Sequence, residues 1–180
     1  DGISYFLDAS KPYFGFNKLP EYCLNGQART IDQNTSPVYF YPDSVKEAKM
    51  TNVMLFNDEK AAGKWNGMLT SSLTCNIRQK FLDNGKDVFE KKLRESYTGD
   101  FSIDDIKYEN ENNDEVPITM SHSITIEGND NSNVIYFNPL IKEGYKENFF
   151  TAAERKYPVE MPYLIDETYN FQMEIPVGFV

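Results

Sequence analysis

The chain alternates between apolar and polar residues over several short segments, and this pattern predicts a mainly β fold. Successive side chains of a strand point to opposite faces of a sheet, so a half-buried strand alternates in this way. The clearest case lies within Pro117–Glu127, where every second residue is Ile, Met or His. Further strands are predicted over Val38–Tyr41, Met50–Phe56, Val134–Phe137 and Tyr169–Ile175.

The stretch from Lys64 to Leu82 is predicted to be extended as well. Its odd-numbered residues from Leu69 to Ile77 are mostly apolar, whereas its even-numbered residues from Thr70 to Arg78 are polar or charged. This alternation indicates one long strand, or two strands interrupted near Gly67, after a polar hairpin loop over Asn57–Gly63.

One segment has helical spacing instead. Between Asp83 and Tyr97 the apolar residues Phe89, Leu93 and Tyr97 recur every four positions among Lys and Glu. This spacing predicts a helix that packs one apolar face against a sheet. A second, short helical turn is predicted over Ser102–Ile106, with the serine as its N-cap. The expected fold class is therefore mainly β (α+β), with antiparallel sheets in a sandwich-like or strongly twisted arrangement and one main helix near residues 83–97.

The first residues form an apolar run with almost no polar lead-in. Ile3 to Leu7 follows directly after Asp1-Gly2 and is predicted to be the second strand of a β-hairpin. We therefore expect the chain to be part of a longer protein. The polar stretch Asp32–Pro37 is the best candidate for a boundary between structural units. Strand edges left unpaired at trimmed ends would favour self-association of the isolated chain.

Composition narrows the choice of partners. The chain has a formal net charge of −10, which makes binding to nucleic acid or to an anionic membrane surface unfavourable. It contains no apolar stretch near the roughly 20 residues that a membrane-spanning helix needs, and no signal segment. Its 12 Tyr and 13 Phe residues fit a globular, β-rich protein.

The cysteines and the single histidine are few and scattered. Cys23 and Cys75 lie 52 residues apart without a neighbouring Cys or His motif, which argues against a zinc site. Structural free thiols are favoured for them, with a disulfide and catalysis by either thiol as alternatives. His122 shares a strand face with Met120 and Ile124, so a hydrogen-bonded core or edge histidine is favoured over a general base. No metal or cofactor is predicted.

No nucleotide-binding, hydrolase-elbow or metalloprotease motif occurs in the sequence. The single tryptophan, Trp65, lies near many tyrosines and phenylalanines, so an aromatic platform for sugars is an alternative to a packing role. A non-catalytic module that binds glycan or peptide is therefore one functional hypothesis. Asp8, at the end of the first apolar run, would by itself be read as a turn or cap residue.

Three short sequence motifs near the start resemble the end of the transglutaminase-like (papain-related) domain of secreted, multidomain bacterial proteins. They are Tyr-Phe-Leu-Asp-Ala-Ser at residues 5–10, Phe-Gly-Phe at 14–16 and Leu-Pro-Glu-Tyr-Cys-Leu-Asn-Gly-Gln-Ala-Arg at 19–29. Three later motifs, at residues 136–139, 153–159 and 175–179, resemble the C-terminal β domain of the same proteins. The resemblance implies that residues 1–36 are a remnant of the transglutaminase-like domain with a linker, and that residues 37–180 are a β-rich accessory domain.

The resemblance also implies a role for Asp8. In this family a cysteine nucleophile is activated by a histidine, and an aspartate orients the imidazole. Asp8 matches that aspartate, whereas neither Cys23 nor His122 matches the position of the nucleophile or the base. The chain alone is then expected to be inactive. It would support an upstream catalytic domain of the same parent, a thiol protease, amidase or transamidase located in the periplasm or at the cell surface.

Overall fold

A computed structural model describes residues 2–24, 26–31, 36–41, 45–56, 62–97, 101–126, 138–144, 148, 150–151, 154, 156–158 and 164–175. In chain order its elements are a short 3-10 turn Glu21–Cys23, β1 Gly26–Ala28, β2 Val38–Phe40, β3 Lys46–Phe56, β4 Ala62–Met68, α1 Ser71–Asn84, α2 Lys86–Ser96, β5 Phe101–Glu109, β6 Thr119–Ile126 and β7 Leu164–Met173. The predicted fold class, mainly β with an α+β arrangement, is confirmed.

The strands form a small sheet and a larger one. β1 and β2 pair antiparallel, with Gly26 opposite Phe40. The other five strands form a sheet in the order β5-β6-β4-β3-β7. Its neighbours are antiparallel except β3 and β7, which run parallel with Lys46 opposite Leu164. No helix in the part of the chain that the structure describes is long and apolar enough to cross a membrane.

The core lies on one face of the five-stranded sheet. Alternate residues of β3, β4 and β6 are buried on this face, and both helices add apolar side chains to the same cluster. Its buried members are Val53, Leu55, Trp65, Leu69, Ile77, Tyr97, Ile103, Ile118, Met120 and Ile124. Burial of each large side chain contributes about 1.5–3 kcal/mol. Among the described residues, the layer packed against this sheet is helical.

Trp65 fixes the packing at the centre of this face. Its side chain is 2% exposed. A Cβ atom placed on Gly67 would lie only 2.2 Å from the Trp65 ring, so the ring occupies the space that any larger residue at position 67 would need. Gly67 is therefore required for close packing of the indole within β4. The strand continues through Gly67 to Met68, so the alternative of an interruption at this glycine is not found.

The strand predicted over Lys64–Leu82 is correct only as far as Met68, and the remainder is wrong. A helix, α1, begins at Ser71, where the Thr70 hydroxyl accepts a hydrogen bond from the Leu73 backbone N–H at 3.2 Å. A carboxylate oxygen of Glu47 accepts the Ser71 N–H at 2.6 Å. Both contacts satisfy N–H groups that have no partner within the helix.

The buried stripe of α1 explains the error. It contains Thr74, Cys75, Ile77 and Arg78, two of which are polar. Because Thr74 and Arg78 are buried although their residue types indicate exposure, the helical periodicity is hidden in the sequence. The Thr74 hydroxyl accepts the Ile118 backbone N–H at 2.9 Å, which satisfies a buried polar group at the junction with β6.

Two other predicted elements differ from the structure. Ile3–Leu7 forms no strand and leaves most of its side chains exposed. The short helical turn predicted over Ser102–Ile106 is wrong, because these residues belong to β5. A register shift between Asp104 and Lys107, with a left-handed φ of 52° at Asp105, interrupts the pairing there. Such a bulge accounts for the missing alternation.

The remaining predicted elements are found where the structure describes them. The strands expected at Val38, Met50, Pro117 and Tyr169 correspond to β2, β3, β6 and β7, and the helix expected near residues 83–97 is α2. The strand predicted over 134–137 lies outside the described residues, as do residues 57–61 of the predicted loop over 57–63. The last two residues of that loop, Ala62 and Gly63, belong to β4 instead. The proposed boundary after residue 36 stays a prediction, and β1 and β2 pair across it.

Arg78 connects the core to the loop over residues 110–116. Its side chain is buried, and its guanidinium donates to the backbone carbonyls of Asn110, Glu111, Asn113 and Val116. Because a guanidinium presents five N–H donors in a rigid fork, one side chain can bind several backbone carbonyls of a loop at once. This loop in turn contacts the N-terminal part of the chain.

Three contacts seat the N-terminal part against α1 and this loop. The Phe16 backbone N–H donates to the Glu115 carboxylate at 2.8 Å, and the Lys18 ammonium donates to the Glu115 carbonyl at 2.8 Å. The thiol of Cys75 lies 3.3 Å from the Pro12 carbonyl oxygen. The segment that carries Asp8 is therefore connected to the core through Arg78 and the loop it holds.

Candidate functional site

Asp8 lies at the start of a tight turn, where its carboxylate is held by two neighbours. One oxygen, Oδ1, accepts the Ser10 backbone N–H at 2.8 Å, an Asx-turn contact. The other, Oδ2, accepts a hydrogen bond from the Tyr22 hydroxyl. The Ser10 hydroxyl lies 2.9 Å from the Tyr22 hydroxyl oxygen. Asp8, Ser10 and Tyr22 thus form a closed hydrogen-bonded group.

The 3-10 turn over Glu21–Cys23 brings Tyr22 to Asp8. The Cys23 N–H donates to the Pro20 carbonyl at 2.9 Å, and the Leu24 N–H donates to the Glu21 carbonyl at 3.0 Å. Pro20 and Leu24 are buried on either side of the turn and anchor it. The motif Leu-Pro-Glu-Tyr-Cys-Leu therefore forms a tight turn that places the Tyr22 and Cys23 side chains next to the Asp8 carboxylate.

Around this group lies an open cleft of about 500 Å³. Its walls are mostly apolar, and two of its lining residues, Phe6 and Phe40, pack edge to face with ring centroids 4.9 Å apart. The lining residues are Phe6, Leu7, Asp8, Ala9, Ser10, Leu19, Tyr22, Cys23, Ala28 and Phe40. The arrangement places one carboxylate among apolar walls, which suits a side chain that combines an N–H donor with an apolar ring or stem.

Hydrogen bonding favours the ionised form of this carboxylate. The Tyr22 hydroxyl, followed by the Ser10 side chain and backbone N–H, lowers the pKa of Asp8. The same contact with Asp8 raises the pKa of Tyr22, so the phenol keeps its proton and remains a donor. At neutral pH the group is thus a fixed negative charge. Such a group can orient and stabilise a neighbouring imidazole, whereas it is poorly suited to act as an acid.

Cys23 lies beside Asp8, yet its environment does not activate it. Its sulfur is 3.9 Å from Asp8 Oδ2. Partial burial, and then the negative charge of Asp8, raise the pKa of the Cys23 thiol. Since the thiolate is the nucleophilic form, this environment disfavours catalysis by Cys23.

Both cysteines are free thiols, so the alternative of a disulfide between them is wrong. Cys75 is buried on α1, and burial raises the pKa of its thiol. The prediction of structural thiols is therefore supported by the surroundings of both residues. Among the described residues, no group of three or more Cys, His, Asp or Glu side chains could hold a metal ion.

His122 is a core residue. It is 3% exposed, and its ring stacks on Trp65 with centroids 5.0 Å apart. Its Nε2 lies 2.8 Å from the Tyr97 hydroxyl, and its Nδ1 lies 3.2 Å from the Ser123 carbonyl oxygen. Burial lowers the pKa of His122 to about 4, so the ring is neutral at pH 7. None of its partners lines the Asp8 cleft.

Trp65 belongs to the same buried cluster, so the aromatic platform suggested for it is wrong. A second concavity, about 310 Å³ in volume, lies between α1 and α2 and is lined by Lys80, Asn84, Val88, Phe89, Lys92, Leu93 and Ser96. Its charged residues, Lys80 and Lys92, are exposed on the helix surfaces. The Asp8 cleft is therefore the better candidate for a functional site.

Sequence reasoning singled out Asp8 but not the residues that contact it. The Asp-x-Ser spacing of Asp8 and Ser10 is a recognisable Asx-turn signal. The contact with Tyr22 spans 14 residues and depends on the 3-10 turn. No local pattern in the sequence indicates that Tyr22 faces Asp8.

Comparison with known families gives one match. Residues 133–180 match a domain family of unknown function that has a solved structure (DUF3858). The match covers just over a quarter of the chain and includes β7. It lies within the predicted accessory domain and does not reach the Asp8 cleft. Comparisons with curated proteins and with solved structures find no match.

Proposed function

We propose that this chain is a portion, inactive on its own, of a transglutaminase-like thiol protease, amidase or transamidase, and that it contributes the orienting carboxylate, Asp8. The nucleophilic cysteine and the histidine base would belong to another part of the parent protein. The single observation that carries the proposal is the fixed, ionised Asp8 carboxylate in an open, apolar cleft. An orienting aspartate needs this combination of charge, restricted orientation and access.

The surroundings of the other candidates support the same assignment. Burial and the charge of Asp8 disfavour the thiolate of Cys23, and His122 is neutral and packed in the core. Neither residue suits a nucleophile–base pair with Asp8. A complete triad would therefore form only when a histidine from elsewhere in the parent reaches Asp8.

Exposed apolar side chains near the cleft support packing against a catalytic domain. Residues 2–41, which we call the N-terminal region, expose Ile3, Tyr5, Leu7, Phe16, Tyr22, Ile31, Tyr39 and Tyr41. Such a concentration of exposed apolar residues marks an interaction surface. The rest of the chain would then support the catalytic domain from one side. On this reading the parent is an extracytoplasmic bacterial protein, periplasmic or on the cell surface.

The test uses the native protein that contains this chain. Peptide mapping should find a cysteine and a histidine in a transglutaminase-like segment. Iodoacetamide should abolish hydrolysis of a peptide amide, and a Cys23→Ser variant should keep both the activity and its sensitivity to the reagent. Loss of activity in Cys23→Ser, or an activity that resists thiol reagents, would refute the assignment.

A second candidate function is binding of glycan or peptide by exposed aromatic residues. The observation that favours it is the stacked pair Tyr39 and Tyr41, whose rings lie 6.0 Å apart at 8° and are more than half exposed. Burial of Trp65 counts against it. Titration of the chain with soluble oligosaccharides and peptides, followed by amide chemical shifts, would support this function only if the residues of β1 and β2 shift with saturation.

A further inference from the structure

The hydroxyl of Tyr22 is the donor that holds one oxygen of Asp8. A phenol has a single proton, and an ionised carboxylate can only accept. The proton of Tyr22 therefore points to Asp8 Oδ2, and the Ser10 hydroxyl donates to the Tyr22 oxygen across 2.9 Å. The Ser10 N–H completes the group at Asp8 Oδ1. Hydrogen bonds arranged in such a chain polarise and strengthen one another.

The carboxylate keeps capacity for a further donor. An ionised carboxylate offers about four lone-pair positions. Two are used by Ser10 and Tyr22, and the Cys23 thiol at 3.9 Å is a weak third contact. At least one position remains for an N–H group that enters the cleft. With both oxygens already held, the direction from which that group must approach is defined.

Packing does not explain the placement of Tyr22. Its side chain is 51% exposed, so its ring contributes little buried surface. The terminal torsion of an aspartate is otherwise broad, which would let the Asp8 carboxylate turn freely. The contact with Tyr22 removes that freedom, and the anchored 3-10 turn holds Tyr22 in turn.

We propose that Tyr22 is a positioning residue, which fixes the Asp8 carboxylate in one orientation for a donor entering the cleft. The catalytic meaning of this role rests on the proposed function of Asp8. The contact itself can be tested in this chain alone, so the two proposals can fail separately.

The test is an NMR titration of the Asp8 carboxyl carbon in the wild type, in Tyr22→Phe and in the matched control Tyr39→Phe. Tyr39 is similarly exposed, and its hydroxyl accepts from the Gln27 amide at 3.2 Å, away from Asp8. The pKa of Asp8 should rise in Tyr22→Phe and stay at the wild-type value in Tyr39→Phe. An unchanged pKa in Tyr22→Phe would overturn the inference.

A melting curve of each variant guards against a structural artefact. Tyr22→Phe and Tyr39→Phe should melt within a few degrees of the wild type, since both residues are exposed. If Tyr22→Phe melts much earlier, the titration is repeated at a temperature well below its melting point, where the variant is folded. The Asp8 pKa should still rise there, and an unchanged value would overturn the inference.

Kinetics in the full parent protein separate the two proposals. Tyr22→Phe should lower kcat on the order of 10-fold with little change in KM, and it should shift the acid limb of the pH profile. If the Asp8 pKa responds to Tyr22→Phe while Asp8→Ala leaves the activity intact, the proposed function fails and the positioning role of Tyr22 stands. If Asp8→Ala abolishes activity and the pKa does not respond, only the positioning role fails.

Discussion

The five-stranded sheet with α1 and α2 and the N-terminal region differ in what they do with their apolar residues. The sheet and its helices gather them into one core, in which Val53, Trp65, Ile118 and Ile124 are almost fully buried. In the described part of the N-terminal region only Pro20 and Leu24 are buried. Stability therefore resides mainly in the first part, and the candidate site lies in the second.

The difference shows that the candidate site is held by a few contacts with a stable core. The N-terminal region depends on Arg78, on the loop it holds and on hydrogen bonds to Glu115. Most of its apolar side chains remain exposed. Substitutions in the core should therefore change the free energy of unfolding, whereas substitutions around Asp8 should change the site with little effect on stability.

The largest effect is expected for Trp65→Ala. Removing a buried indole from the centre of the core should lower the free energy of unfolding by about 3–5 kcal/mol. Ile31→Ser, at a fully exposed position of the N-terminal region, should change it by less than about 0.5 kcal/mol. Urea denaturation of both variants measures the contrast. Equal losses would break the distinction between the two regions.

Arg78→Met should have the next largest effect. The variant leaves several backbone carbonyls of the 110–116 loop without their donor, which should cost about 3 kcal/mol. Arg78→Lys should recover only part of this, because an ammonium cannot reproduce the guanidinium fork. Denaturation measures the loss. If Arg78→Met is as stable as the wild type, the loop is not held by this residue.

A smaller effect is expected where the N-terminal region meets the loop. Glu115→Ala removes the carboxylate that accepts the Phe16 N–H and should cost about 1 kcal/mol or less. Hydrogen exchange should show faster exchange of the Phe16 amide, with unchanged protection in β4 and β6. Glu109→Ala is the control at an exposed position of β5. Loss of protection in the sheet as well would mean that the two regions unfold together.

The pH dependence of stability should respond to Glu47. Burial raises the pKa of Glu47 above its ordinary value, although the Ser71 and Ser72 N–H groups oppose the shift. The folded protein therefore holds this proton more tightly than the unfolded chain. The resulting stabilisation is complete below the unfolded pKa of about 4.3 and is lost as pH rises through the folded pKa.

Comparison with Glu47→Gln isolates this contribution. The difference in unfolding free energy between the wild type and Glu47→Gln should move in favour of the variant between pH 4 and pH 7. Denaturation at several pH values measures it, with the exposed Glu109→Gln as the control. A difference that moves towards the wild type over this range would mean that hydrogen bonding at the start of α1 outweighs burial.

The sequence predicted the β-rich fold well where one face of a strand is apolar and the other polar. It predicted β6 because its buried positions carry mostly apolar residues, and α2 because the half-buried residues that it packs against the core, Phe89 and Leu93, are apolar. It failed for α1 because Thr74 and Arg78 are buried and paired with backbone groups, which no periodicity reveals. The Ile3–Leu7 run was predicted as a strand because its residues are apolar, yet it remains exposed.

The same limits apply to the candidate site. A family resemblance pointed to Asp8, and the spacing of Asp8 and Ser10 is a local signal. Tyr22 depends on a turn that is anchored by the burial of Pro20 and Leu24, so its contact with Asp8 is a tertiary feature. The parallel pairing of β7 with β3 is also tertiary, since it joins segments more than 100 residues apart.

The most direct test of the central claim is the effect of Asp8→Ala on the native protein that contains this chain. The variant leaves the histidine without its orienting acceptor, so kcat for a thiol-dependent amidase or transamidase should fall on the order of 10⁴-fold. The fold should stay intact, because Asp8 lies outside the core. An Asp8→Ala variant with wild-type kcat, or a parent protein without thiol-dependent activity on amides, would contradict the account.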